Sequence, residues 1–304
     1  MKIGLFAINY GTCADPELAV QVARHAEAAG FESVWTGEHV VLPDPAPPGF
    51  SIPPTLPLLD TIVGLTLVAA RTSTIKVASG VIVLPLRNPV ILAKKLASVD
   101  VVSNGRLIAG FAAGYVPAEF AAAGVPMADR GARVEDYIGA LRALWSMDRP
   151  EYRGRFVSFG AIDAHPRPRQ RPAPPIVIGG EAPAVLRRAV TMADGWYGFY
   201  LDLEETKSHV KTLRQLAQEY ERPAGLGKLE LTITPAGPLD KAVVDQIRGT
   251  RHRPPGASSA TRRWPVATAH PRPSGSHPAQ HRLGGRADDP PLTATVCAAS
   301  PGRP

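Results

Sequence analysis

The fold is decided by the stretch Ile75-Lys76-Val77-Ala78-Ser79-Gly80-Val81-Ile82-Val83-Leu84. It is too continuously apolar and too rich in β-branched residues for a half-exposed strand, so it predicts a parallel strand covered on both faces. Asn88 and Pro89 then supply an N-cap and a first-turn proline for a helix. A second apolar strand runs from Arg106 to Phe111. The pattern predicts one β-α-β unit whose strands end in small residues, at the edge where such folds bind ligands.

The same unit repeats over the first four-fifths of the chain. Asp15-Pro16 predicts a capped helix after the first strand, and Asp202 with Glu205 predicts a capping box for a later one. Further strands are predicted at 3–8, 31–36, 175–180, 195–200 and 229–234. Seven strand-helix alternations imply parallel strands. They predict an α/β fold, most simply a TIM (β/α)₈-type barrel over residues 1–246. Leu239 is predicted to begin another helix, and no regular eighth strand is apparent.

Residues 247–304 form a Pro/Arg-rich irregular tail with ten prolines and nine arginines. One interpretation is a disordered basic tail that binds polyanions. The other is the product of a shifted reading frame. Codons exist for 247–257 that, read one nucleotide later, spell Tyr-Ala-Ala-Leu-Gly-Ile-Asp-Arg-Leu-Val-Pro. That peptide would supply a helix end, a glycine stop and the apolar eighth strand that the barrel lacks.

Charge and composition exclude several function classes. The net charge of +7 belongs to the tail, because residues 1–246 carry 25 basic and 25 acidic side chains. The body therefore has no nucleic-acid footprint. No apolar run approaches the roughly 18 residues of a membrane span, and the apolar N-terminal run 3–6 is too short for a signal peptide. Cys13 and Cys297 have no metal-type or disulfide-type spacing. We expect a cytoplasmic protein with no membrane association.

Several motifs occur in a characteristic order. They are Trp35-Thr36-Gly37-Glu38-His39, Ser79-Gly80-Val81 followed by Pro85-Leu86-Arg87-Asn88-Pro89, the segment 100–114, Glu119-Phe120, Gly124-Val125-Pro126, the segment 130–145 and Ile178-Gly179-Gly180. With these motifs, residues 1–246 resemble the luciferase-like monooxygenase superfamily, especially its F-420-dependent oxidoreductases. The resemblance implies a TIM barrel with a flavin or deazaflavin at the carboxyl ends of the strands.

The resemblance also implies catalytic residues. Glu38 and His39 would lie beside the cofactor ring, with His39 as proton donor or electrostatic partner for hydride transfer. An imidazole suits that role because its pKa lies near working pH. From the residues alone, a structural hydrogen bond within the Glu-His pair remains the alternative. Gly80 and Val81 align with a cis peptide that supports the ring in these enzymes.

Cofactor binding is implied at two further places. Gly114 and Tyr115 end the strand that carries the glycine-rich segment of the family. Tyr115 stands where the sugar-phosphate dehydrogenases of the group have a catalytic carboxylate, which argues against that chemistry. Gly179 and Gly180 precede a helix, so their N–H groups would bind the cofactor phosphate. Ordinary turn chemistry is the alternative for this glycine pair.

The leading functional hypothesis is hydride transfer between reduced F-420 and a small organic substrate. An FMN-dependent monooxygenase that receives flavin from a reductase is the second, and a truncated, non-catalytic barrel with residual ligand binding is the third. A flavin or F-420 reductase is the expected partner, and a homodimer is a further possibility. Leu56, Leu58 and Phe120 would favour a hydrophobic substrate if they line the site, but they could equally belong to the core.

Overall fold

The computed structural model describes residues 2–237 and 294–299. Parallel strands dominate, in line with the apolar runs of the sequence. The bounds of the strands are β1 Lys2–Phe6, β2 Ser33–Thr36, β3 Lys76–Ser79, β4 Ile82–Val83, β5 Leu107–Ala112, β6 Tyr152–Arg153, β7 Ser158–Phe159, β8 Ile176–Gly179, β9 Gly195–Leu201, β10 Glu230–Pro235 and β11 Ala294–Ala299. All but β6 and β7, which pair with each other as a short antiparallel hairpin, belong to one parallel sheet.

The sheet curls into a barrel. Its strand order is β3-β2-β1-β11-β10-β9-β8-β5-β4, and β3 also pairs with β5. This second pairing brings the sheet back on itself, so that β5 connects the two halves of the ring. The TIM-type barrel predicted from the sequence is confirmed, and its strands are parallel as the β-α-β repeats require.

The expectation that a regular eighth strand is lacking is wrong. β11, with the sequence Ala-Thr-Val-Cys-Ala-Ala, fills the eighth position. It pairs in parallel with β1, where Lys2 is opposite Thr295, and with β10, where Leu231 is opposite Ala294. The physical reason is that two open sheet edges offer backbone donors and acceptors, which pair largely independently of side-chain identity. The rest of the proposed tail, and the helix expected from Leu239, lie outside the described residues.

Helices connect the strands on the outside. Their bounds are α1 Pro16–Ala28, α2 Thr61–Ala69, α3 Pro89–Val102, α4 Pro117–Ala122, α5 Arg130–Ser146, α6 Pro183–Met192 and α7 Leu203–Glu219. The predicted caps are confirmed: Asp15 accepts from the N–H of Leu18, and Asn88 accepts from two N–H groups at the start of α3. The capping box between Asp202 and Glu205 is present at α7. No helix within the described ranges is both long enough and apolar enough to cross a membrane.

The stretch that predicted the fold is interrupted. β3 ends at Ser79, the Gly80–Val81 peptide bond is cis, and the two-residue β4 follows. The sequence predicted one continuous strand, because its apolar character does not change across the break. The cis bond itself agrees with what the family resemblance implied.

The barrel interior is closely packed around β5. A Cβ atom on Gly110 would lie 1.9 Å from the carbonyl oxygen of Ser79, so only glycine fits there. The Ser79 hydroxyl also bonds to Gly110, accepting from its N–H at 2.7 Å and donating to its carbonyl at 3.0 Å. This contact joins β3 to β5 immediately before the chain reaches the cis peptide.

Candidate active site

The predicted site residues converge on one end of the barrel. Each lies at or just beyond the carboxyl end of a parallel strand: Glu38 and His39 after β2, Gly80 and Val81 after β3, Gly114 and Tyr115 after β5, and Gly179 and Gly180 at the end of β8. Because parallel strands share one direction, these residues face the same opening, which we call the mouth. Their individual roles stay predictions.

Glu38 is held in an ion-pair network at the mouth. Its side chain is 1% exposed, and it pairs with Arg87, whose Nη2 also lies 3.0 Å from Asp60. The N–H of Val83 donates to the second Glu38 oxygen at 2.5 Å. Burial raises the pKa of Glu38, an effect that the Arg87 charge opposes. For Arg87, burial acts to lower the pKa, but Glu38 and Asp60 outweigh it and raise the pKa.

This network has a structural consequence for Glu38. Both carboxylate oxygens accept hydrogen bonds from groups of the protein, so the side chain anchors the segment after β4 to β2. Both oxygens of the carboxyl group are therefore engaged by the protein, and the catalytic role of Glu38 stays a prediction. Asp60 also caps α2, accepting from the N–H groups of Ile62 and Val63.

His39 pairs with a different carboxylate. Its Nδ1 lies 3.1 Å from Oε2 of Glu119, and the side chains are 11% and 1% exposed. The other oxygen of Glu119 accepts from the N–H of Val40 at 2.7 Å. Glu119 lies in the first turn of α4, where Pro117 starts the helix. One carboxylate on α4 therefore holds both the ring of His39 and the peptide N–H that follows it.

Two aromatic rings pack against the histidine. The His39 ring is perpendicular to those of Phe50 and Tyr115, with centroids 5.7 and 6.0 Å away. The Phe50 and Tyr115 centroids are 6.4 Å apart. Tyr115 is 64% exposed. Even so, partial burial raises the pKa of its hydroxyl group, and the charge of Glu119 acts in the same direction. Through this contact the proline-rich loop 43–57 packs against the segment that follows β5.

Val81 packs on an apolar layer of the barrel interior. The rings of Trp35 and Tyr197 stack at 5.2 Å, and both side chains are 1% exposed. A Cβ on Gly80 would come within 3.1 Å of Trp35 and 3.3 Å of Tyr197, and a Cβ on Gly179 would lie 3.0 Å from a methyl group of Val81. The two glycines therefore let the half-buried Val81 side chain pack closely on the buried rings.

Gly114 has a packing requirement of its own. Its φ is +78°, and a Cβ would meet Val83 at 2.5 Å and Phe120 at 2.9 Å. Phe120 is 1% exposed and belongs to the core. Of the residues considered as substrate lining, Phe120 is therefore a packing residue, whereas Leu56 and Leu58 are partly exposed in the loop before α2.

The predicted phosphate site is only partly available. The N–H of Gly180 donates to the carbonyl of Tyr197 at 3.3 Å, so that donor is already engaged. The helix that follows, α6, has no side-chain cap at Ala182 and no acidic residue in its first turn, as is also true of α5. By contrast, α1, α2, α3 and α7 are all capped by Asp or Asn side chains. Pro183 has no N–H and the N–H of Val185 donates to the Ala182 carbonyl at 2.8 Å, so Ala184 is left as the donor of the first turn for an anion.

The sequence motifs do not reveal the ion-pair partners of Glu38 and His39. Arg87 and Glu119 both occur in the motifs, but the motifs assign them no role. A signal for Glu119 exists in the sequence: an acidic residue just after a Val-Pro helix start, beside the buried Phe120, is poorly placed for solvent. Nothing in the sequence indicates that Phe50 reaches His39, because the loop between them has no periodicity.

No cluster of three or more metal-ligating side chains occurs in the described residues. A groove of about 450 Å³ lies on the outside of the barrel, lined by Asp60, Ile62, Val63, Thr66, Leu67 and Lys95 of α2, its cap and α3. The site residues predicted from the sequence do not line it, although Asp60, one of its lining residues, pairs with Arg87 of the Glu38 network.

Comparison with known proteins agrees with this geometry. The sequence profile of the luciferase-like monooxygenases matches residues 1–290. The chain belongs to the luciferase-like monooxygenase family. It is 33% identical over 182 residues to an uncharacterised protein of Mycobacterium tuberculosis, covering 57% of this chain and 64% of that one. It is 28% identical over 211 residues to the oxygenase component of the flavin-dependent trigonelline monooxygenase of Acinetobacter baylyi, covering 67% and 55%. The chain thus spans less than two thirds of these relatives.

Solved structures of luciferase-like proteins share the barrel. The monooxygenase RslO1 of Streptomyces bottropensis superposes with a TM-score of 0.63 at 26% identity, over 77% of this chain and 70% of that one. The coenzyme F-420-dependent tetrahydromethanopterin reductase of Methanopyrus kandleri gives 0.62 at 22% identity, over 83% and 70%. The second likeness concerns the fold alone. Of these proteins, one is flavin-dependent by name, and another, which resembles this chain in fold alone, depends on coenzyme F-420.

Proposed function

We propose that this luciferase-like protein is an oxidoreductase that transfers a hydride between reduced F-420 and a small organic substrate at the barrel mouth. The observation that carries the proposal is the position of His39. It lies at the mouth, next to two aromatic rings, and is paired with a buried carboxylate. A ring-shaped redox cofactor needs an apolar surface and a proton donor at its edge; the half-buried Val81 would supply the first and His39 the second.

The residues fit such a cofactor in two respects. Val81, supported by Trp35 and Tyr197, offers an apolar surface for the ring. The uncapped start of α6 offers a backbone donor for a phosphate, at a helix end where negative charge is stabilised. When bound, the reduced deazaflavin would supply the hydride. His39 would donate a proton to the substrate, and Phe50 and Tyr115 would limit the access of water to that proton.

An FMN-dependent monooxygenase is the second candidate, and a specific observation favours it. The relative from Acinetobacter baylyi is by name flavin-dependent, and at 28% identity it is more similar in sequence than the F-420-dependent reductase at 22%. A reductase that supplies reduced flavin would then be the partner. Both cofactors have a ring and a phosphate, so the same mouth residues would serve either one.

Fluorescence titration of the purified chain with F-420, FMN and riboflavin tests the proposal. Saturable binding of F-420 that exceeds that of FMN supports the deazaflavin assignment, and the reverse order supports the monooxygenase. Saturation by neither cofactor would refute both candidates.

Riboflavin isolates the phosphate, because it has the ring of FMN without that group. Ala184→Glu places a negative charge in the first turn of α6 and is expected to weaken binding of the phosphate-bearing cofactors about tenfold while leaving riboflavin unaffected. Gln218→Glu, which adds the same charge near the far end of α7, is the matched control and is expected to change nothing.

A further inference from the structure

Glu119 is a buried carboxylate that the proposed function uses only as the partner of His39. It has 1% of its side chain exposed and accepts one hydrogen bond from the Val40 N–H, at 2.7 Å. Within residues 2–237 and 294–299 its one ion-pair partner is His39. Burying a carboxylate costs free energy unless it is paired and hydrogen-bonded. The fold is therefore more stable when a proton lies between Oε2 of Glu119 and Nδ1 of His39.

The pairing dictates which nitrogen of His39 carries a proton. An ionised carboxylate accepts hydrogen bonds but cannot donate them, so the Nδ1 atom, 3.1 Å from Oε2, must be the donor. In the neutral imidazole the lone pair then lies on Nε2. Nε2 has no hydrogen-bond partner among the described residues and lies on the side of the ring opposite Glu119.

The second oxygen of Glu119 makes this arrangement rigid. Oε1 accepts a hydrogen bond from the N–H of Val40, the residue directly after His39. The carboxylate therefore binds both the ring of His39 and the backbone beside it. Phe50 and Tyr115 pack edge-to-face against the ring and restrict its rotation about the side-chain bonds. A 180° flip of the ring would place Cδ2 instead of Nδ1 opposite Oε2 and would break that hydrogen bond.

We propose that Glu119 is the positioning residue of His39: it keeps a proton on Nδ1 and so makes Nε2 the atom that exchanges a proton with the substrate. This assignment rests on the proposed function for its catalytic meaning. In the step, a substrate carbon accepts the hydride of the reduced cofactor, and the adjacent substrate atom takes the proton from Nε2 of the imidazolium. The substrate gains two electrons and two hydrogens, the cofactor loses two electrons, and His39 is left neutral with its Nδ1–H still donated to Glu119. Solvent then restores the proton on Nε2.

The tautomer can be measured without cofactor or substrate. Long-range ¹H–¹⁵N correlation spectra of the full-length chain, with the His39 signals assigned by their loss in His39→Gln, report which nitrogen is protonated. We expect a protonated Nδ1 and an unprotonated Nε2 when His39 is neutral. A neutral ring with its proton on Nε2 and none on Nδ1 would overturn the proposal, and this measurement needs no variant of Glu119.

Glu119→Gln supplies the decisive variant. Its amide oxygen can still accept from Val40, while its NH₂ group would donate to Nδ1 and move the histidine proton to Nε2. We expect the tautomer to invert, and the kcat for oxidation of reduced F-420 by menadione to fall about 100-fold with the Kd for F-420 unchanged. Glu119→Asp, which keeps the charge, should restore part of the rate.

The outcomes separate the two proposals. A folded Glu119→Gln variant with an unchanged tautomer, or with an inverted tautomer and full turnover, would refute the positioning role. Failure of the unmodified chain to bind F-420 or FMN would refute the proposed function, whereas the tautomer would still decide whether Glu119 controls His39. Glu17→Gln, an exposed carboxylate on α1, is the control and should alter neither reading.

Discussion

The two ends of the barrel use charged side chains in different ways. At the end where the strands begin, Arg106 donates all of its bonds to main-chain carbonyls and one threonine hydroxyl, and Glu27 accepts from three consecutive N–H groups at 73–75. At the mouth, charged side chains pair with one another, as in Glu38–Arg87 and His39–Glu119. Glu32 also pairs with Lys2 and Lys76 where the strands begin, but these side chains are 30–41% exposed, whereas Glu38 and Glu119 at the mouth are 1% exposed. The difference is therefore that the mouth holds buried ion pairs, while the other end is held mainly by bonds to the backbone.

The comparison implies that substitutions at the two ends should have separable effects. Changes where the strands begin should lower stability and leave chemistry intact, because loops there are held by side chain to main chain bonds. Changes at the mouth should affect chemistry, except where a buried pair also supports the fold.

The largest expected effect is that of His39→Ala on turnover. Loss of the proton donor should lower kcat for oxidation of reduced F-420 by menadione by about 10²- to 10⁴-fold. The thermal midpoint should also fall, because Glu119 is left buried without its partner, so the rate is compared at a temperature where both variants are folded. Stopped-flow absorbance measures the rate. His25→Ala, on the outer face of α1, is the control; equal rates for both variants would contradict the role of His39.

Arg87→Met tests the exception at the mouth. It leaves Glu38 buried without its cation and should lower the free energy of unfolding by about 3–5 kcal/mol, measured by urea denaturation. The double variant Glu38→Gln, Arg87→Met removes both charges and should be more stable than Arg87→Met alone. If the double variant is the less stable of the two, the ion pair does not explain the loss.

Arg106→Met tests the opposite end. The variant leaves several carbonyls around the start of β5 without a donor and should cost about 2–4 kcal/mol of unfolding free energy, with cofactor binding unchanged. Arg153→Met removes a guanidinium whose side chain is 87% exposed and should cost less than about 0.5 kcal/mol. A loss of cofactor affinity in Arg106→Met would break the proposed separation of the two ends.

The smallest effect is expected for Glu27→Gln, and it depends on pH. Burial alone would raise the pKa of Glu27, but the N–H groups of Thr74, Ile75 and Ser73 outweigh it and lower the pKa to about 2. The group is only partly buried, so its contribution above pH 5 should be about 1–2 kcal/mol after allowance for screening. Because the folded pKa is below the unfolded value of about 4.3, the contribution is lost as pH falls from about 4.3 to 2. Urea denaturation should show that the difference in unfolding free energy between Glu27→Gln and the unmodified protein is smaller at pH 3 than at pH 7. A larger difference at pH 3 would contradict the assignment. Glu219→Gln is the control.

Local chemistry explains which parts of this structure were predictable. Helix starts at Asp15, Asn88 and Asp202 were visible because a cap and its helix are adjacent in sequence. The pairing of His39 with Glu119 was not, since the two residues are 80 positions apart and only the closed barrel brings them together. β11 was missed for a related reason: its neighbours β1 and β10 determine its position, and its own alanine-rich sequence indicates a strand only weakly.

The pairing of β1 with β11 has a consequence for how the chain assembles during synthesis. β1 precedes the other described strands, and it finds one of its two partners only when Thr295 has been made. Until then one edge of β1 and one edge of β10 are open to other chains, which is when aggregation is most expected and when a chaperone would contribute most.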